Sequence, residues 1–309
     1  MKWKKLGVVY RPDGGLAWAR SHATCPTPII LDDRIRVYIQ CRDEANVGRI
    51  GFVELDVRDP RRVVYVHPDP VLDIGRPGTF DENGVFQTCV LPVDEERTFL
   101  YYVGFELGTK IRYRLLTGLA VSRDGGVTFE RVRKTPVLER SDDELHFRCG
   151  PWVLRRKHRF CMWYVAGSEW TEIRGKQIPV YDIRTIESDD GMSWPDRGSP
   201  CVQVANPDEV GFGRPCVVRH GHGLRMFYSV RLRSLGGNYT VGFADSRDGQ
   251  VWIRRDSSFG LSRGSEGDWD STHLDYAAIV EVGGRTYLFY NGNDFGLTGF
   301  GVAELLSDE

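Results

Sequence analysis

Acidic, basic and aromatic side chains recur in loops that are far apart in this sequence. We predict that Asp81, Glu144, Glu209 and Asp275 are catalytic, because paired carboxyl groups supply the acid and the base or nucleophile of glycosidic-bond cleavage. Guanidinium forks suit hydroxyls, carboxylates and phosphates, and flat rings stack on sugars. The side chains that we predict to bind substrate are His22, Arg42, Arg148, Trp170, Arg214, Arg231, Asp270, His273, Tyr276 and Asn293.

Each of these residues also has a structural interpretation. Asp81 could cap the turn before Gly84, and Asp270 could hold its own loop together by hydrogen bonds. Glu144 and Glu209 could belong to solvated acidic loops. Arg214 could form a salt bridge to a neighbouring repeat. The choice between the two interpretations depends on the elements that position these loops.

Those elements repeat five times along the chain. Five apolar segments carry a tyrosine at the same place, and successive tyrosines lie 64, 62, 64 and 62 residues apart, at Tyr38, Tyr102, Tyr164, Tyr228 and Tyr290. An apolar segment precedes each of them across a short polar turn, which is typical of a β-hairpin. A third apolar segment follows each hairpin. These tyrosines are predicted to lie in the core.

A turn of one type follows three of the third segments. It spans residues 122–130, 188–195 and 246–253, and it resembles the sialidase Asp box, S-x-D-x-G-x-x-x-W. The aspartate of such a turn caps the following backbone, and glycine supplies the positive φ. The pattern therefore predicts a structural turn, followed by a fourth strand that opens with an aromatic residue.

Units of about 62 residues with four strands each account for all 309 residues. The sequence thus predicts an all-β fold, a five-bladed β-propeller of four-stranded antiparallel blades, in one domain spanning residues 1–309. The fifth unit lacks a fourth strand. Residues 3–10 match the fourth strands that begin at Phe129 and Trp252, so we predict that they close the ring. The alternative is a loose N-terminal tail.

In a propeller, the loops that enter the first strand of each blade and the loops between strands two and three surround one mouth of the channel. Both sets are dense in Asp, Glu, His, Arg, Trp and Tyr here, whereas the turns on the opposite face carry ordinary charges. A mouth of this composition suits a carbohydrate.

Several motifs of the chain resemble those of five-bladed propeller glycosidases. They are Phe80-DENGV, Leu100-YYVG, Ser122-RDG, Met162-WY, Arg214-Pro215, Trp269-DS and Tyr290-NGN. The resemblance is to glycoside hydrolase families 43, 32 and 68 and to the family 130 mannoside phosphorylases. It is closest to uncharacterised bacterial members that are associated with surface-polysaccharide gene clusters.

The resemblance implies three acids on the first strands of blades one, two and three. Asp81 and Glu144 match the second and third, but residues 16–31 contain no acid, and His22 and Thr24 stand at the expected place. Three functions stay open: a glycoside hydrolase, a phosphorylase or glycosyltransferase acting on a sugar phosphate or nucleotide sugar, and a carbohydrate-binding propeller without activity. The first predicts opposed carboxyls, the second an Arg/His cluster, and the third aromatic platforms.

Composition excludes several other classes. Lys and Arg number 41 against 43 Asp and Glu, so a nucleic-acid binder that depends on a general basic field is not expected. No apolar run approaches a membrane span. The seven cysteines form no C-x-x-C pair and no export signal precedes them, so we expect reduced thiols in a cytoplasmic protein. We expect neither a cofactor nor a metal, and the oligomeric state stays open.

Overall fold

Extended strands account for most of the regular structure. The computed structural model describes residues 1–308, and within them helical turns are confined to 256–258 and 293–296. The strands are β1 (Lys2–Tyr10), β2 (Ser21–Ile30), β3 (Arg34–Arg42), β4 (Gly48–Asp56), β5 (Asp59–Val66), β6 (Val85–Pro92), β7 (Thr98–Leu107), β8 (Tyr113–Ser122), β9 (Glu130–Arg131), β10 (Phe147–Arg156), β11 (Arg159–Ile173), β12 (Lys176–Ser188), β13 (Ser199–Val202), β14 (Glu209–His220), β15 (Gly223–Leu232), β16 (Asn238–Ser246), β17 (Ile253–Arg254), β18 (Asp275–Val282), β19 (Arg285–Asn291) and β20 (Phe300–Ser307).

Antiparallel pairing joins the strands within each sequence repeat. The first strand group is β2–β5, the second β6–β9, the third β10–β13 and the fourth β14–β17. The fifth consists of β18–β20 together with β1, which pairs with β20 along its length. Short parallel bridges join β8 to β10 and β12 to β14, so the middle three groups form one continuous sheet. The predicted all-β class is confirmed.

The first strands of the groups lie together. β2 contacts β6, β6 contacts β10, β10 contacts β14, β14 contacts β18, and β18 contacts β2. Each of these strands also has a β-bulge in its pairing with the second strand of its group. A bulge re-aims one side chain and bends the strand. The bulges place left-handed backbone at Cys25, Gly150, Arg214 and Tyr276.

The hydrophobic core lies between neighbouring groups. The second-strand tyrosines belong to it, because Tyr38, Tyr102, Tyr164, Tyr228 and Tyr290 are all fully buried. Separate apolar clusters lie between each group and the next, and another joins the fifth group to the first. This packing holds the loops that enter the first strands against rigid sheets. None of the helical segments within residues 1–308 is long and apolar enough to cross a membrane.

The three predicted turns adopt the geometry that their sequence requires. The carboxylate of Asp124 accepts hydrogen bonds from the N–H groups of Val127 and Thr128, and Asp190 and Asp248 do the same in their own turns. Burial acts to raise the pKa of Asp124, but these hydrogen bonds outweigh it and hold the pKa at about 2. The aspartates are therefore occupied by their own turns.

Candidate functional site

Three of the predicted acids occupy one repeated position. Asp81, Glu144 and Asp270 each lie 20 or 21 residues before the second-strand tyrosine of their group, and that tyrosine donates its hydroxyl hydrogen to the carboxylate. The O–O distance is 2.9 Å in all three cases. Each acid is at most 1% exposed. The sequence repeat therefore extends to a buried polar contact within three of the five groups.

A cation completes each of these contacts. Arg131 on β9 places Nε 2.7 Å from Asp81 Oδ2, and Lys5 on β1 places Nζ 2.6 Å from Asp270 Oδ2. Glu144 pairs with Arg148 at 2.5 Å and with Arg184 at 3.0 Å. We call these sets the Tyr–acid–cation contacts. Each acid is paired with partners of its own group, whereas the loops led us to expect acids that face a shared pocket.

The fourth group has a variant of the same contact. Glu209 pairs with Arg254 on β17, while Tyr228 donates to Asp256, which Arg254 also holds. Burial acts to raise the pKa of Glu209, but hydrogen bonds from Arg254 and the Ala205 N–H outweigh it and lower the pKa. Glu209 is thus an ionised, paired carboxylate at the edge of its own group.

The first group has no acid at this position, which explains the missing blade-one carboxylate. Trp18 stands 20 residues before Tyr38, donates from its indole Nε1 to Pro68 O, and packs where a Cβ on Gly51 would collide with it. Tyr38 donates its hydroxyl hydrogen to Gly126 O instead. A buried indole and a backbone acceptor therefore replace the charged contact.

Arg214 occupies the middle of the molecule. Its guanidinium donates to Tyr276 O and Ala277 O on β18, to Pro26 O and Thr27 Oγ1 on β2, and to Thr88 O on β6. It also lies 5.7 Å from the ring centroid of Trp152 on β10. One side chain thus links the first strands of all five groups. We expected it at a ligand mouth, but carbonyl and hydroxyl acceptors already occupy it.

Two further predicted residues support loops. Arg148 donates to Glu139 O and Pro195 O in addition to its ion pair with Glu144. Asn293 accepts from the Thr272 N–H and hydroxyl and donates to Asp268 O, so it fixes the loop that carries His273. Both side chains are therefore engaged in holding loops.

The other predicted residues meet around one guanidinium. Arg231 on β15 lies 4.3 Å from the ring centroid of Tyr239 and 5.7 Å from that of Tyr181, and it interacts electrostatically with Asp275 and His273. Tyr113 and Tyr276 also face it. We call this set the Arg231 cluster: Arg231, Asp275, Tyr276, His273, Tyr113, Tyr181 and Tyr239. Its members come from the second, third, fourth and fifth groups.

Asp275 is the distinctive member of this cluster. It is fully buried, and neither carboxyl oxygen has a hydrogen-bond partner within residues 1–308. Burial raises its pKa well above the ordinary value, Asp294 raises it further, and Arg231 opposes the shift without forming an ion pair. A carboxyl group in this environment retains its proton to higher pH than an exposed aspartate.

Two histidines lie at the edge of the cluster. His273 is buried, its Nε2 has no partner within the described residues, and burial lowers its pKa to about 4. Burial and the nearby Arg42 lower the pKa of His22 to about 4 as well. Arg42 in turn interacts with Tyr276, so the first group also reaches the cluster. Both imidazoles are neutral at pH 7, and the guanidiniums carry the positive charge.

A cavity of about 560 Å³ opens beside the cluster. Arg231, Tyr113 and Phe295 line it together with the turns at 175–178 and 236–238. Trp170 lies behind Tyr113, with ring centroids 5.2 Å apart, so it stiffens the wall. Phe295 covers His273 at 5.1 Å between ring centroids, with left-handed backbone at both Asp294 and Phe295. Strained backbone of this kind is concentrated at functional sites.

Sequence reasoning missed three of the four tyrosines, Tyr113, Tyr181 and Tyr239, as well as Phe295. Tyr113, Tyr181 and Tyr239 begin or lie early in the third strands of their groups, where the loops between strands two and three end. The recurrence of one aromatic residue at that place was the available signal. Within residues 1–308, no group of three or more His, Cys, Asp or Glu side chains is arranged to hold a metal ion.

Comparison with solved structures defines the class of fold. A structure described as "Glycoside hydrolase" matches with a TM-score of 0.74 at 19% identity, covering 97% of this chain and 90% of that one. A thermostable family-43 glycoside hydrolase matches with a TM-score of 0.70 at 15% identity, covering 96% and 93%. A structure from a mannoside phosphorylase family that contains glycoside hydrolases has a TM-score of 0.72 at 13% identity, covering 99% and 94%. The chain shares the fold of these structures.

Sequence comparison identifies the family. The chain is 32% identical over 306 residues to "Uncharacterized protein MT1551" of Mycobacterium tuberculosis (strain CDC 1551 / Oshkosh), covering 99% of both chains. It is 31% identical over the same length to "Uncharacterized protein Rv1502" of M. tuberculosis (strain ATCC 25618 / H37Rv), again covering 99% of both. The chain belongs to the family of these mycobacterial proteins. No family model matches it.

Proposed function

We propose that the chain is a single five-bladed propeller domain that acts on glycosidic bonds. The five strand groups are the blades, and β1 closes the ring as the outer strand of the last one. The succession of contacts among the first strands supports this arrangement, as does Lys5, which lies two residues after Trp3 just as Arg131 follows Phe129 and Arg254 follows Trp252. All three cations pair with an acid of their own group.

The proposed site is the Arg231 cluster with its cavity. The sugar enters between the turns at 175–178 and 236–238 and stacks on Tyr113 and Phe295. Arg231 binds its oxygens. When the Phe295 segment moves aside, Asp275 donates its proton to the leaving-group oxygen as the glycosidic C–O bond breaks, water forms the new bond to the anomeric carbon, and a proton from that water returns to Asp275. The observation that carries this proposal is a fully buried carboxyl without any partner at the place where the groups converge.

A second candidate is transfer to or from a sugar phosphate or nucleotide sugar, including phosphorolysis. The charges favour it: Arg231 interacts with a carboxyl whose pKa is raised, and Arg42 interacts with Tyr276 beside that carboxyl, so the cluster is positive near neutral pH. The acids of the Tyr–acid–cation contacts are occupied by their own partners, and Asp294, whose charge raises the pKa of Asp275, is a carboxylate that lies close to it. Our expectation of a bacterial polysaccharide setting rests on the sequence resemblance alone.

The test compares Asp275→Asn with the wild-type chain on a panel of 4-nitrophenyl glycosides, with and without inorganic phosphate. We expect turnover to fall about 100-fold or more in the variant, the usual contribution of a general acid, while the melting temperature is kept. Asp69→Asn, which removes an exposed acid on a distant turn, serves as the matched control.

The products separate the alternatives. Release of free sugar in water supports hydrolysis, and turnover that requires phosphate supports the second candidate. Wild-type turnover in Asp275→Asn would remove Asp275 from the mechanism. Oligosaccharide binding without turnover under either condition would replace the enzymatic proposal by a binding module.

A further inference from the structure

A small basic cleft lies on the face opposite to the Arg231 cluster. The ends of β10 and β14 and the turns after β14 and β16 enclose a cavity of about 110 Å³. We define the basic cleft by its charged and imidazole side chains, Arg155, Arg156, Arg219, His222 and Arg247. It joins the third strand group to the fourth.

The basic cleft is separate from the proposed active site. Arg219 pairs with Leu224 beside the turn of the β14–β15 hairpin, whereas Arg231 pairs with Gly211 at the other end of the same two strands. The hairpin thus carries one site at each end. A ligand in the basic cleft has no direct contact with the Arg231 cluster.

No carboxylate lines the basic cleft. Two acids close in sequence to Arg247 are already engaged: Asp248 accepts hydrogen bonds from the backbone N–H groups of its turn, and Asp245 pairs with Arg225. Arg219 and Arg247 are exposed and make no hydrogen bond or ion pair within residues 1–308. Four guanidiniums therefore face one small cavity without an internal counter-charge.

Two of the four guanidiniums are held in place. Arg156 donates from Nη1 to Asp248 O at 2.6 Å, so it is fixed to the turn that carries Arg247. Arg155 packs with its guanidinium carbon 5.8 Å from the Phe160 ring centroid and donates to Val93 O. The fixed pair leaves Arg219 and Arg247 free to close on a ligand from the other side. A partly preorganised site of this kind loses less side-chain entropy on binding.

We propose that the basic cleft binds a phosphate group. Guanidinium forks match phosphate oxygens in pairs, and several arginines around one dianion relieve their mutual repulsion. The volume of about 110 Å³ is well below the ~300–1,000 Å³ of pockets that enclose a whole ligand, so only the charged group enters. The phosphate is either free or the terminal group of a larger molecule that extends into solvent.

Isothermal titration calorimetry with inorganic phosphate and with glucose 6-phosphate tests the proposal at low ionic strength. We expect the double variant Arg219→Gln/Arg247→Gln to weaken binding about tenfold or more, since each charge-assisted pair contributes more than 1 kcal/mol. Arg11→Gln/Arg58→Gln removes the same charge at exposed positions far from the cleft and should bind as the wild-type chain does. Binding should also weaken as salt is added.

The ligand arms distinguish the source of the phosphate. Tighter binding of glucose 6-phosphate than of inorganic phosphate assigns the cleft to a phosphorylated molecule, and the reverse assigns it to the free anion. Equal affinity in the cleft variant and the control variant would overturn the proposal, as would the absence of binding by either probe. Asp275→Asn leaves the four guanidiniums of the basic cleft in place, so Arg219→Gln/Arg247→Gln should weaken binding by the same factor in that background, and failure here is independent of the proposed function.

Discussion

Asp270 and Asp275 lie five residues apart on the same loop and strand of the fifth group, and both are almost fully buried. Asp270 has a tyrosine hydroxyl and an ammonium group as partners. Asp275 has neither, although Arg231 interacts with it from further away. The two carboxyl groups therefore have the same residue type, a similar place in the chain and similar burial. They differ in their hydrogen-bond and ion-pair partners.

The difference in partners decides whether each carboxyl group keeps its proton. A buried carboxylate with a cation and a hydroxyl donor is stabilised in its charged form, whereas burial without partners favours the protonated form of the carboxyl group. Removing one partner from a buried pair leaves the other charge uncompensated, which costs up to about 3–5 kcal/mol. The Tyr–acid–cation contacts are thus expected to carry stability, and Asp275 is expected to carry chemistry.

Deleting residues 1–10 should have the largest effect on stability, because it removes an entire strand together with the cation that pairs with Asp270. The deletion removes β1, the cation of Asp270 and the buried Trp3, whose indole donates to Phe259 O. We expect a loss of at least ~4 kcal/mol in the free energy of unfolding, because loss of a buried tryptophan alone costs about 3–5 kcal/mol. Urea denaturation followed by tryptophan fluorescence measures it. An unchanged midpoint would contradict closure by β1.

Asp270→Asn tests the same contact without removing the strand. Lys5 then lacks its counter-charge, and we expect a loss of about 2–3 kcal/mol, below the full value for a buried pair because the Lys5 side chain is 30% exposed. Asp81→Asn should behave in the same way, since Arg131 is similarly placed. Asp275→Asn is the matched control and should cost less than 1 kcal/mol. Equal losses of unfolding free energy in all three variants would show that the paired and unpaired carboxyl groups contribute alike to stability.

Much of the fold could be predicted from the sequence, because the residues that recur in each repeat are those that form the core and the turns. The second-strand tyrosines, the turns at 122–130, 188–195 and 246–253, and the match of residues 3–10 to other fourth strands all depend on local patterns. The tyrosine spacing also contained the contact partners of the acids. An acid 20 or 21 residues before a buried tyrosine, in three repeats out of five, indicates a structural pair.

The site could be predicted only in part. Asp275, Tyr276, Arg231 and His273 belong both to the predicted residues and to the Arg231 cluster, because polar residues in the loops of the predicted mouth were selected. Asp81 and Arg214 were placed in the same site by the same criterion, yet one is paired within its group and the other binds backbone carbonyls in the middle of the molecule. The bulge that turns Arg214 inward has no sequence signature, since left-handed backbone at a non-glycine residue depends on tertiary packing.

The pH dependence of stability tests whether Asp275 keeps its proton in the folded chain. Its pKa is raised in the folded chain, so as the pH rises above about 4 the unfolded chain loses this proton first. Stability should therefore fall with rising pH by up to ~1.4 kcal/mol per pH unit until the folded group also ionises. Glu209 has a lowered pKa and acts in the opposite direction, because its stabilisation is lost as the pH falls below its unfolded value.

Melting temperatures of the wild-type chain and Asp275→Asn between pH 4 and pH 8 isolate this contribution. The difference between the two should change in favour of the variant as the pH rises. A constant difference would show that Asp275 titrates normally, and it would remove the reason for assigning the proton-donor role to this residue.

The smallest effects come from the tyrosine hydroxyls, and they test whether the charge of the acceptor matters. In Tyr290→Phe the buried carboxylate of Asp270 loses a donor, which should cost about 1.5–3 kcal/mol as for other hydrogen bonds to charged groups. In Tyr38→Phe only the Gly126 carbonyl loses one, and the expected loss is about 1 kcal/mol. Urea denaturation gives the unfolding free energy of both variants, each of which lacks the hydroxyl oxygen of a second-strand tyrosine. If Tyr38→Phe costs as much as Tyr290→Phe, the carboxylates add nothing beyond ordinary acceptors, and the acids of the Tyr–acid–cation contacts again become candidates for a role in substrate binding.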